Sequence, residues 1–339
     1  DVPARHASGT TLPTKASAET IMDLQFAMRR HQGRKRKNNE DFVASFEPTD
    51  ALERQQTGCV YVLGDGVGGA ALGERASQYA AEKVVYDYSQ FPQVEPGERL
   101  RHAIQEANED IFDFSVNSPR GTRMATTIVA AVIRSGTLYM ANVGDSRGYL
   151  IRGGEARQLT HDHSLVGEMV ADGEMTEEQA MASKAKNKLS RSVGGEPNVR
   201  VELYEPIALL PGDRVLLCSD GLTRYATRQK LAELTLRGAP AEIADRCIGF
   251  ANAEGGADNI SVILIAIGEA VGGAPVPSSE TGRPRMPSRE WLEQMVTDPY
   301  AGSRIAAAKT TRAGRETRVR SKRSSTEGKR SGVSSALLI

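Results

Sequence analysis

Cysteine is scarce in this chain. Three thiols, Cys59, Cys218 and Cys247, are spread over 339 residues, in or beside apolar stretches. An odd count without a C-x-x-C pair argues against a disulfide framework and a cysteine metal clip, so they read as core thiols in a reducing compartment. Long apolar runs are missing too. The longest, residues 260–267 broken only by Ser261, is far shorter than the roughly 18 residues a spanning helix needs. The first twenty residues lack an apolar signal-peptide centre. Together these absences point to a cytoplasmic protein without a membrane span. Net charge is absent as well: Lys plus Arg and Asp plus Glu each number 43. The chain as a whole therefore offers no electrostatic argument for nucleic acid or membrane. There is no internal repeat and no zinc-finger spacing.

The zero total hides an asymmetry. From Tyr300 onward ten Lys and Arg face two acids, which leaves the preceding part net acidic by eight. Residues 269–339 turn Gly/Pro/Ser-rich and then small and basic, the composition of a mostly disordered tail. Any binding of nucleic acid or of an acidic partner is expected through that tail alone. Within it Trp291, Leu292, Met295 and Val296 would line one stripe of a short helix, either a docking element or residual helicity without a partner. Residues 1–20 are polar and aperiodic and read as a disordered lead.

Between these ends the composition is that of an ordinary globular domain, 39% hydrophobic and 25% charged. Strands are predicted over residues 23–28, 42–46 and 59–63, then a helix over 74–88. A clearer helix follows, because Leu100, Ile104, Ala107, Ile111 and Phe114 recur every three to four residues. Residues 126–133, 137–143, 147–151 and 155–159 form a ladder of short strands joined by tight turns, which means antiparallel pairing. The stretch 161–195 is polar, Gly-interrupted and weakly helical, suiting a mobile flap. Strands return at 199–204 and 214–218, helices at 228–236 and 240–253, and a last strand at 260–267. Hairpins with two pairs of helices predict an α+β fold, two antiparallel sheets packed face to face with helices outside.

Acid is what this domain carries at telling places. Five signatures follow one another: residues 36–41 (RKNNED), Asp65-Gly66 in LGDGVGG, Asp145-Ser146-Arg147 in NVGDSRGYL, Asp220-Gly221 in LLCSDGL and Asp258-Asn259 in GADNISV. Three of the acids follow apolar runs (61–63, 139–141, 215–217) and are expected where a strand ends and a loop begins. Carboxylates delivered that way converge on a rim. Their repulsion in a low dielectric calls for cations between them, and hard divalent ions suit oxygen ligands. If Asp65, Asp220 and Asp258 met at a pair of such ions, a shared water would deprotonate near neutral pH and charge on an attacked phosphoryl group would be neutralised. Arg36 would complete the site, its guanidinium fork matching two phosphate oxygens. Glu40 and Asp41 follow on the same turn. The set suits a phosphomonoester.

The ordered elements R-x-x-N-E-D, D-G-x-G-G, G-D-S-R, S-D-G and D-N-I-S-V resemble the metal-dependent Ser/Thr protein phosphatases of type 2C, the PPM family, in its bacterial form, over residues 23–268. MATTIVAAVI, THDHSLV, KLSRSVGG and LLPGDRVLLCSDGL add to the likeness. The resemblance implies a four-layer α-β-β-α sandwich over residues 21–268, with a flap at about 161–195 and a dinuclear metal site at one end. It implies two Mn2+ or Mg2+ ions. Asp65 would bridge them with the Gly66 carbonyl on one, Asp220 and Asp258 would hold the other, and Glu40 and Asp41 would act directly or through water. Asp145 matches the position for a third, weaker ion shared with Asp220. Asn259 would orient Asp258 or a ligand water, Arg36 would bind the substrate phosphate, and a metal-activated water would attack without a protein nucleophile. The substrates implied are phosphoserine and phosphothreonine proteins, in opposition to a Ser/Thr kinase.

Two positions depart from the pattern. Val67 stands where many bacterial relatives carry Met and eukaryotic ones a His proposed as general acid; Ala125 replaces a Gly. Residues 64–69 fail the G-x-x-x-x-G-K phosphate loop. His161 and His163 lack further ligands at metal spacing and read as capping or flap hydrogen-bonding groups. Arg147 reads as the partner of a neighbouring acid. The rival to an enzyme is a catalytically weak phosphoprotein-binding scaffold working through flap and tail, whose mark would be a lost metal acid. None of those acids is missing.

Overall fold

The structure, a computed structural model, describes residues 22–67, 71–118, 123–183, 185, 188–270 and 284–288. The lead at 1–20, nearly all of the basic tail and the stripe at Trp291 lie outside the described residues.

Two antiparallel sheets make up the centre. One contains β1 (Met22–His31), β11 (Ile260–Ala270), β10 (Arg214–Cys218), β7 (Arg147–Arg152) and β8 (Glu155–Gln158), in that spatial order. The other runs β2 (Asp41–Phe46), β3 (Cys59–Val67), β5 (Ile128–Arg134), β6 (Thr137–Val143) and β9 (Glu202–Ala208), with the two-residue β4 (Ala125–Thr126) paired to the end of β3. The helices are α1 (Ala51–Thr57), α2 (Ala71–Gln90), α3 (Pro96–Asn117), α4 (Leu165–Ala171), α5 (Glu177–Ala182), α6 (Asp220–Thr223), α7 (Arg228–Thr235) and α8 (Pro240–Ala253).

Alternation sorts the side chains. In β3, Cys59, Tyr61 and Leu63 enter a core between the sheets with Val129, Leu217 and Ile263. On the opposite parity of the other sheet, Leu216, Cys218, Val262 and Leu264 pack against α7 and α8 through Leu231, Ile243 and Cys247. Helices α2 and α3 cover the remaining face; Leu100, Ile104, Ala107 and Ile111 of the predicted stripe are all buried. The central strands are covered on both faces, so they read as continuous apolar runs. Each fully buried Val, Leu or Ile contributes about 1.5–3 kcal/mol, which makes this three-part core the main stabilising element.

Some boundaries differ from the sequence reading. β9 begins at Glu202, three residues late, because Val199 and Val201 are buried without joining the ladder. The last strand extends to Ala270. The segment expected as a flap holds two short helices, α4 capped by Ser164 and α5 by a Thr176–Gln179 capping box. Helix α1 had no apolar stripe to announce it; Asp50 caps it by accepting from Glu53 N–H.

Candidate metal centre and active site

Strand ends deliver the acids to one end of the sandwich. Asp41 opens β2 and is the register partner of Asp65 in β3. Asp65 lies inside its strand rather than after it, and Thr126 and Thr127 hold its backbone. Its N–H donates to Thr127 Oγ1 at 3.0 Å, and its carbonyl accepts from Thr127 N–H at 2.8 Å and Thr126 Oγ1 at 2.9 Å. Thr127 Oγ1 also lies 2.7 Å from Ser146 Oγ, next to Asp145 in the β6–β7 connection. From the other sheet, Asp220 starts α6 and Asp258 stands two residues before β11. Ser219 joins the sheets: its Oγ donates to Asp41 Oδ2 at 2.9 Å and accepts from Ser261 N–H at 3.0 Å.

Both Asp-Gly pairs need glycine for close approach rather than for a positive φ. A Cβ on Gly66 would lie 2.2 Å from Gly73 O, and one on Gly221 would lie 1.9 Å from Asn259 O. Any side chain there would push the neighbouring aspartate out of place.

The acids perturb one another. Burial, followed by the charges of Asp41, Asp220, Asp145 and Asp258, holds the Asp65 carboxyl well above the usual carboxylate range. Asp41 is pushed up to about 7 by burial, against the hydroxyls of Ser261 and Ser219, with Asp220 and Asp258 adding to the rise. Burial and then Asp220 raise Asp145; burial and then Asp258 raise Asp220, although Arg224, Arg36 and Arg147 oppose it. Five carboxyls thus share one electrostatic neighbourhood, and Glu40 is buried beside them.

Two arginines hold this charge. Arg36 grips Asp258 with both prongs, Nε to Oδ1 at 2.8 Å and Nη2 to Oδ2 at 2.9 Å. Burial is the largest single influence and works against the Arg36 charge, but the bond to Asp258 together with the charges of Asp258, Glu40 and Asp65 outweighs it and the guanidinium pKa rises. Arg224 Nη2 lies 3.3 Å from Asp258 and 3.5 Å from Asp220. Among the described residues no three His, Cys, Asp or Glu side chains are arranged as a ready metal cage. The donors nevertheless fit a hard cation: all are oxygens, and Asp41 Oδ1 is buried without a hydrogen-bond partner.

Residues 24–168 match the family described as protein phosphatase 2C. The chain is 37% identical over 242 residues to the serine/threonine phosphatase stp of Listeria monocytogenes, covering 70% of this chain and 93% of that one. The chain belongs to the protein phosphatase 2C family. It is a metal-dependent protein-serine/threonine phosphatase. The solved Mycobacterium tuberculosis phosphatase PstP/Ppp superposes with a TM-score of 0.64 at 31% identity, covering 74% of this chain and 100% of that one. A PstP catalytic domain solved in complex with two manganese ions gives a TM-score of 0.62 at 30% identity, with the same coverage.

In this phosphatase the two departures from the family pattern are one local feature, since Val67 and Ala125 are register partners across β3 and β4. Arg147 pairs with Asp162 through contacts of 2.7–3.1 Å. His161 and His163 both meet Glu202, at 2.8 and 2.6 Å. His163 Nδ1 accepts from Gly144 N–H at 3.1 Å, which leaves its Nε2–H to donate to Glu202. These histidines tie the segment after β8 to β9. Between α4–α5 and α6–α7 a cavity of about 300 Å3 opens beside Asp145 and Asp220, with Val166, Val170 and Met181 on its apolar wall.

Sequence reasoning missed Arg224, Ser219 and the task of the Asn259 side chain. Arg224 had a signal, its i+4 spacing from Asp220. Asn259 supports Asp258 through its backbone N–H at 3.0 Å. Its amide is engaged elsewhere: Oδ1 accepts from Glu40 N–H at 2.8 Å, and Nδ2 donates to Gln32 O and Asn38 O at 2.9 and 2.8 Å. It clamps the loop that carries Arg36. Among the described residues no helix is long and apolar enough to cross a membrane.

Proposed function

We propose that residues 21–268 form the catalytic domain, with residues 161–195 as its flap, and that Asp65, the Gly66 carbonyl, Asp220, Asp258, Glu40 and Asp41 hold two Mn2+ or Mg2+ ions. Asp145 with Asp220 provides a third, weaker position. The observation that carries this reading is the gathering of five carboxyls, four of them with raised pKa values, around two arginines. When bound, such ions supply Lewis-acid charge neutralisation and a water that ionises near neutral pH.

The chain's own residues do the rest. Arg36 exchanges Asp258 for two oxygens of the substrate phosphate, a fork-to-fork match of the kind it already makes. Asn259 keeps the Arg36 loop in place, and Thr126 and Thr127 keep Asp65 aimed. Ser219 holds one oxygen of Asp41 so that the other stays available. Arg224 balances Asp220 and Asp258. No side chain here acts as a nucleophile, and with Val67 in place of a histidine the leaving group takes its proton from water or from another group.

The substrates are phosphoserine and phosphothreonine proteins in the cytoplasm, made by a Ser/Thr kinase of the same cell; any contact with nucleic acid would be through the basic tail. Mn2+-dependent hydrolysis of p-nitrophenyl phosphate and phosphothreonine peptides, abolished by chelator, is the test. Unchanged activity in Asp65→Asn or Asp220→Asn protein would refute the metal assignment. Arg36→Ala should raise KM several-fold while sparing Mn2+ affinity measured by calorimetry; an unchanged KM would remove Arg36 from the phosphate.

A further inference from the structure

The loop between β1 and β2 carries four consecutive cations, Arg34, Lys35, Arg36 and Lys37, in a chain that is net acidic by eight before Tyr300. All four are exposed. Arg36 is paired with Asp258, whereas Arg34, Lys35 and Lys37 have no acidic partner among the described residues. A solvated charge run usually sits on mobile backbone. This one does not.

Arg34 and Lys35 N–H both donate to Gly256 O, at 2.7 and 3.2 Å, and Gly33 N–H donates to His31 Nδ1 at 2.9 Å. Gln32 Nε2 donates to Arg36 O at 2.7 Å, and Asn259 bonds the carbonyls of Gln32 and Asn38. Gly33 has φ 77°, and a Cβ there would lie 2.0 Å from Asp258 O, so the loop lies against the Asp258 backbone at a spacing only glycine allows. Consecutive Cα atoms are 3.8 Å apart, so none of the three free cations is more than about 8 Å along the backbone from Arg36. That is the span of one or two residues of a bound peptide. The pinned backbone lowers the ordering cost of binding there, and the local positive charge offsets the repulsion an anionic peptide meets from the acid cluster.

We infer that Arg34, Lys35 and Lys37 form a second anion subsite, which takes a carboxylate or phosphate on a residue flanking the phosphoresidue and so selects substrates with clustered negative charge. The inference rests on the reading of Arg36 as the phosphate receptor.

The test compares full-length protein with its Arg34→Gln/Lys35→Gln/Lys37→Gln variant on three phosphothreonine peptides, whose residue two places away is alanine, aspartate or a second phosphothreonine. With two such pairs formed at about 0.2–1 kcal/mol each, the wild type should favour the anionic peptides in kcat/KM by about 2- to 30-fold. The preference should vanish in the variant and shrink in 0.5 M salt, with p-nitrophenyl phosphate hydrolysis unchanged in both proteins. A gain with both anionic peptides assigns the subsite to acidic sequence; a gain confined to the second phosphate assigns it to multiply phosphorylated segments. Equal rates on all three peptides, or a preference that survives in the variant, overturn the subsite alone. An Arg36→Ala protein assayed in parallel separates the two readings, because an unchanged KM for p-nitrophenyl phosphate overturns the Arg36 assignment and this inference with it.

Discussion

Replacing Asn259 by alanine should disable the site without touching a carboxylate. Asn259 is only 4% exposed, and its amide satisfies three main-chain groups: Glu40 N–H, Gln32 O and Asn38 O. Truncation leaves these groups without their partner, at about 1 kcal/mol each and somewhat more where water cannot enter. The sum is about 2–4 kcal/mol, a large share of the 5–15 kcal/mol that holds a typical domain together. Urea unfolding monitored by circular dichroism would read it as a lower midpoint at constant slope. The same three bonds span the loop bearing Arg36, so KM for p-nitrophenyl phosphate should rise several-fold at a temperature where the variant is still folded. Asn259→Asp should be worse than alanine: it keeps the acceptor for Glu40 N–H but sets a carboxylate against two carbonyl oxygens. A stability change below about 0.5 kcal/mol, or a lost midpoint with an unchanged KM, would show that Asn259 is no clamp.

The raised carboxyls make stability depend on pH. The folded protein holds the Asp41 proton more tightly than the unfolded chain does, because burial moves its pKa from 3.8 to about 7. Its stabilising contribution is therefore complete below about pH 4 and is lost as pH rises through 7, on the order of 4 kcal/mol for this group. Tm of chelated protein should fall between pH 5 and 8, and Mn2+ should flatten the slope; a level Tm without metal would contradict this account. Gly221→Ala should cut kcat at least tenfold, since a Cβ 1.9 Å from Asn259 O must displace α6 and Asp220 with it; wild-type kcat would show that α6 tolerates the shift. The thiols of Cys59 and Cys247, pushed up to about 12 by burial, should resist a disulfide reagent until the protein is unfolded. Rapid labelling of native protein would place them nearer the surface.

What could be read before folding was whatever is encoded over short distances. The α3 stripe is a local period, the strands of both sheets are local runs, and Asp65-Gly66 or Asp220-Gly221 after an apolar run is a local pattern. From these the sandwich and the acids at its end were both legible. Where local signals failed, burial was the reason: Val199 and Val201 are apolar enough for a strand yet pack without one, and the exposed α1 has no stripe.

The sequence by itself determined that the acids sit at or near strand ends and that an arginine precedes the first of them. Only the tertiary structure decided their partners. Arg36 meets Asp258 across 222 positions, Ser219 meets Asp41 across 178, and Asn259 spans 219 to reach Glu40. Such pairings follow from how two sheets stack and which strand ends come to face one another. No window of neighbouring residues contains that information, because the energy that sets it is the burial of the core between the sheets.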